Sequence, residues 1–61
     1  MTLGNMIEFL GDMVKDLEEI RTKEDNRWTK DYLQAAIGDI RAATSLIKAA
    51  KLTQNEPSGT L

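Results

Sequence analysis

Thr22-Lys23-Glu24-Asp25-Asn26 (TKEDN, residues 22–26) decides how this chain folds. It holds no apolar residue, and Thr22, Asp25 and Asn26 are residue types that cap a new helix. Upstream, Leu3, Met6, Ile7, Leu10, Met13, Val14, Leu17 and Ile20 keep a heptad-like apolar pattern without a miss, with Glu8, Asp12, Lys15 and Glu19 opposite. Extended past Ile20, that phase would place seam residues at the charged Glu24 and Asp31. The next stripe instead starts out of phase at Leu33. One uninterrupted rod is therefore excluded, and the chain is expected to turn.

Downstream lies Leu33–Ala50, LQAAIGDIRAATSLIKAA, the most helix-prone run in the sequence. One of its faces carries Leu33, Ile37, Ile40, Thr44 and Ile47, spaced four, three, four and three apart. A second face carries Ala35, Ala42, Leu46 and Ala49, continued toward the N-terminus by Trp28 and Tyr32, with Asp39 among them at helical spacing. Folding back at the break sets Leu17 against Leu33, Met13 against Ile37, Leu10 against Ile40, Ile7 against Ala43 and Leu3 against Ile47. The fold class expected is all-α: an antiparallel two-helix hairpin that self-associates into a helical bundle.

The expected hairpin occupies residues 1–52, with helices over about 3–22 and 27–52 and a turn over about 23–26. Residues 53–61, containing Pro57 and Gly59, read as a flexible tail. Asn5 with Glu8 has the form of a capping box at the first helix, and Thr2 is an equal candidate. Charges suit the helix ends: Arg21 and Lys23 close the first, Glu24 and Asp25 open the second, and Lys48 and Lys51 close it. Gly4 and Gly11, seven apart, either weaken the first helix by about 1 kcal/mol each or mark a close neighbour.

A helix that is apolar on two sides needs two neighbours, and a hairpin supplies one. Sixty-one residues make at most one small domain. Its twelve large stripe residues lie half in water when only two helices pack. Self-association to a dimer or larger is the usual remedy at this size.

Cysteine and histidine are both absent, which removes disulfides and thiolate or imidazole metal sites. No run approaches the ~18 apolar residues of a membrane span, and the first residues show neither the basic flank nor the cleavage pattern of a signal peptide. A cytoplasmic protein is expected. The net charge of −2 is unevenly spread: Met1–Ile20 has five acids against one base, whereas Arg21–Lys30 has four bases against two acids. General DNA binding is not expected from so few uncompensated cations, and an acidic first helix also opposes RNA binding.

Catalysis finds no support in these residues. A serine or threonine nucleophile would have no base in evidence. Glu18 and Glu19 are adjacent and diverge by about 100° on a helix, and the Glu-x-x-His of helical di-iron sites is absent. No enzyme activity, cofactor or metal is expected. The constellation with chemical content is Arg21, Lys23, Arg27, Trp28, Lys30 and Tyr32 around the turn. The cations suit phosphate, Arg27 in a bidentate manner, beside the positive end of the second helix. Trp28 and Tyr32 share a face and can stack a base. The plainer reading makes Trp28 a packing anchor and the cations helix-end solvation.

Leu10-Gly11-Asp12-Met13, Asp25-Asn26-Arg27-Trp28, then Leu33-Gln34 and an Ala-rich helix end resemble the phage helical-hairpin family of anti-CBASS and anti-Thoeris nucleotide sponges. The resemblance spans about Leu10 to Ala50. It implies a non-enzymatic homo-oligomer that sequesters a cyclic di- or trinucleotide immune signal between protomers, with Arg27 and Trp28 as the ligand residues carried over. The alternative from a different class is a small inhibitor or adaptor that binds a host protein through a helix face.

Overall fold

The computed structural model describes residues 1–54 and contains two helices, α1 (Leu3–Lys23) and α2 (Arg27–Gln54), packed as a hairpin. α1 begins at Thr2, whose Oγ accepts from the Asn5 N–H at 3.0 Å, while the Thr2 carbonyl accepts from Met6. Asn5 thus lies inside the helix and is not the cap. Both residues are cap formers, and the extended backbone of Thr2 (φ −87°, ψ 164°) decides between them. At the other end Glu24 leaves the helix in an extended conformation, its N–H donating to the Arg21 carbonyl at 3.2 Å.

The linker is Glu24-Asp25-Asn26. Glu24 Oε1 accepts from the Asn26 N–H at 3.0 Å, and Asn26 Oδ1 accepts from Thr29 at 3.1 Å, which makes Asn26 the N-cap of α2. Glu24 and Asp25 therefore precede α2 rather than forming its first turn. Thr22, the other candidate cap, stays inside α1 and donates its hydroxyl to the Glu18 carbonyl. α2 runs two residues beyond the expected limit of 52, taking in Thr53 and Gln54. The remainder of the expected tail, 55–61, lies outside the described residues.

Among the described residues only Val14 and Ile37 are buried, at 8% and 1% exposure. Leu3, Ile7, Leu10, Met13 and Leu17 on α1, with Leu33, Ile40, Thr44 and Ile47 on α2, are half-buried around them. The α1 seam is thus centred on Val14, with Met13 to one side. Ile20, read as part of the stripe, is 52% exposed. It stands about 120° around α1 from Val14, beyond the arc that one neighbour covers.

The cause of so small a core is shape. The Cα trace measures 53 × 20 × 12 Å, its least dimension under a quarter of its greatest. A slab of two helices has a seam but no interior.

Candidate functional site

Trp28 is the second residue of α2 and Tyr32 follows one turn later on the same side; they are 74% and 75% exposed. Ile37, nine residues beyond Trp28, is two and a half turns on and faces the opposite way. Packing α2 onto α1 through Ile37 therefore leaves both rings pointing away from the hairpin. Arg27 and Trp28 line a surface concavity together with Asp31, whose carboxylate offsets the guanidinium there.

The other three cations of the turn cluster go elsewhere. Lys30, two residues after Trp28, is rotated about 200° from it and is half-buried on the seam side. Lys23 pairs with Glu19 at 3.6 Å on the solvent side of α1. Arg21 is half-buried, and its Nε is enclosed without a hydrogen-bond partner among the described residues. Nor is the start of α2 an open row of donors, because the Thr29 and Lys30 N–H groups are already held by Asn26. The structure brings Arg27, Trp28 and Tyr32 to one side of the turn end and distributes Arg21, Lys23 and Lys30 around it.

A second grouping was not singled out from the sequence. Lys15, Glu18, Arg41, Thr44, Ser45 and Lys48 line a groove along one edge of the seam, with Gly11 and Val14. Arg41 Nη2 donates to Glu18 Oε2 at 2.8 Å, an interhelical ion pair. Thr44 turns its hydroxyl back onto the Ile40 carbonyl at 2.7 Å. The signal was present as spacing: Arg41, Ser45 and Lys48 are four and three apart, and Lys15 and Glu18 are three apart. This edge is polar and its cations are partly compensated.

A third surface is apolar. Trp28, Tyr32 and Leu46 (72% exposed) lie on one side of α2 with Ala35, Ala42 and Ala49. Asp39 sits among them, exposed and without an ion pair among the described residues. α1 adds Phe9, 55% exposed, and Ile20 on its own flank. Among the described residues there is no cluster of acidic side chains placed to hold a metal ion, and no helix is long and apolar enough to cross a membrane.

The fold and these surfaces define a two-helix hairpin with unpartnered apolar faces. In comparisons with known proteins, no family model, no curated protein and no solved structure matches the chain.

Proposed function

We propose that this chain is a non-enzymatic interaction module, a hairpin completed by docking its unpartnered helix faces on another polypeptide. The observation that carries this reading is the exposure of Trp28, Tyr32 and Leu46 together on one side of α2. Large exposed apolar side chains grouped on one face of a small chain, here interrupted by Asp39, support an association surface. Light scattering with size-exclusion chromatography tests it. The expected mass is that of a dimer or larger, or of a stoichiometric complex with one host protein. A folded monomer at micromolar concentration that captures no partner from host lysate overturns the proposal.

A second reading has an observation of its own. Arg27 and Trp28 line one concavity and Tyr32 stands exposed on the same side, so a guanidinium and two rings are available to a phosphate and a base. Together with the likeness to the phage hairpins, this supports sequestration of a cyclic di- or trinucleotide by the assembled protein. Titration calorimetry with a panel of cyclic nucleotides is expected to yield at least one micromolar binder, weakened by Trp28→Ala or Arg27→Ala. A blank panel removes this reading and leaves the first intact.

A further inference from the structure

The hairpin gathers cations that the sequence keeps apart. Lys15 of α1 and Arg41 and Lys48 of α2 line one open-sided groove of about 390 Å³ at the seam edge, with Glu18 as its only carboxylate. In a chain of net charge −2, this is a local excess of positive charge drawn from both helices. Glu18 is already engaged, since its Oε2 accepts from Arg41 Nη2 at 2.8 Å. That bond holds the guanidinium at the groove and leaves the Arg41 Nε and Nη1 donors unengaged among the described residues. Lys15 and Lys48 form no ion pair among the described residues, and the Ser45 hydroxyl has no hydrogen-bond partner there. Glu8 and Asp12 lie further round α1 and do not line the groove. Gly11 completes the lining, and a Cβ built on it meets nothing within 4 Å. A helix interior favours Ala over Gly by about 1 kcal/mol, and no contact inside the hairpin demands a glycine here. Its missing side chain leaves the groove open.

We propose that this groove binds a di- or triphosphate group, with Lys15, Arg41 and Lys48 as its cationic partners and Ser45 as a hydroxyl donor. The inference is independent of the association and of the turn-end site described above. Three observations set the ligand class. The free donors are cationic and come from both helices, which selects an anion that spans the seam. Three cations around a groove of ligand-binding size outnumber what a single phosphate engages, whereas linked phosphates offer oxygens to all three. No aromatic ring lines the groove, so the recognised part is the phosphate chain and not a stacked base.

Heteronuclear NMR titration of the full chain with sodium pyrophosphate at physiological salt tests it. Saturable shifts are expected at the backbone amides of Gly11, Lys15, Ser45 and Lys48. Lys15→Gln and Lys48→Gln should each weaken binding at least ~5-fold, as loss of a charged hydrogen bond requires. Lys23→Gln removes the same charge more than a Debye length along α1 and should change affinity less than ~2-fold. Gly11→Leu fills the groove and should abolish binding while the melting temperature holds or rises, because leucine is the better helix former. ADP run in parallel separates an esterified diphosphate, bound at least as tightly as pyrophosphate, from the free anion, bound more tightly than ADP; either supports the site. Equal losses in Lys15→Gln and Lys23→Gln mean diffuse charge attraction and overturn it. Shifts centred on Arg27 and Trp28 also overturn it and move the anion to the turn end. Equal affinity for a poly-glutamate peptide overturns the phosphate assignment. No shift at millimolar pyrophosphate overturns the whole inference, while the mass by light scattering, and with it the association reading, is judged separately.

Discussion

Ile37 and Leu46 lie on the same helix nine residues apart, yet their positions ask opposite things of the solvent. Ile37 is 1% exposed at the centre of the seam, so trimming it leaves a void that two helices can close only in part. Ile37→Ala is expected to destabilise the fold by about 2–4 kcal/mol. In a hairpin with two buried side chains, that should abolish the helical circular dichroism at room temperature or bring it close to melting. Leu46→Ala removes a side chain that touches little within its own protomer. It should leave unfolding of the dissociated chain unchanged and lower the oligomer population. Arg21 offers a third case, because its enclosed Nε has no acceptor among the described residues. Met at that position would keep the apolar stem, remove the unsatisfied donor and give up one favourable charge at the end of α1. An unsatisfied enclosed donor costs about 1–3 kcal/mol against about 0.3–1 kcal/mol for a helix-end charge, so Arg21→Met should raise the urea midpoint, and a fall overturns this.

At the scale of the elements, the helices contain glycines with room to spare. A Cβ built on Gly11 or Gly38 meets nothing within 4 Å in the hairpin, and one on Gly4 comes no nearer than 3.5 Å to Lys51 Nζ. Within one protomer the Gly4 and Gly11 spacing thus marks no close backbone approach. Gly38→Ala should stabilise α2 by about 1 kcal/mol, raising the melting temperature by roughly 4–8 °C in a chain of this size. A fall in the melting temperature would mean that another chain presses on the glycine. The hairpin itself was legible in the sequence because TKEDN lacks apolar residues and the two stripes differ in phase. Which residue caps each helix was not, since Thr2 competes with Asn5 and Thr22 and Asp25 compete with Asn26 among residue types of similar capacity. The candidate site was legible only in part. Trp28 and Tyr32 share a side because four residues separate them, but Lys30 is near Trp28 in sequence and almost opposite it in space. Charges crowded along a chain are spread around a cylinder once it coils, and linear density alone hid that. Ile20 shows the same limit: periodicity gives a direction, but the width of the arc a neighbour covers comes from the packed helices.

For the whole molecule, the radius of gyration of 15.3 Å exceeds the ~10.5 Å expected of a compact domain of this length. A long thin slab has much surface for its enclosed volume, and on the association proposed above its stability draws on contacts outside it. Unfolding should therefore depend on concentration: diluting the protein 100-fold is expected to lower its melting temperature measurably, as mass action requires of a linked oligomer. A melting curve that superimposes across that range would show that the slab holds itself together. The three-residue linker has a consequence of its own. Should it straighten at Glu24, the two stripes separate, and each becomes available to the matching stripe of another opened chain. Exchanged pairs would then recreate every native contact between molecules, so the same seam that closes one hairpin can also weave neighbours together when the protein is crowded.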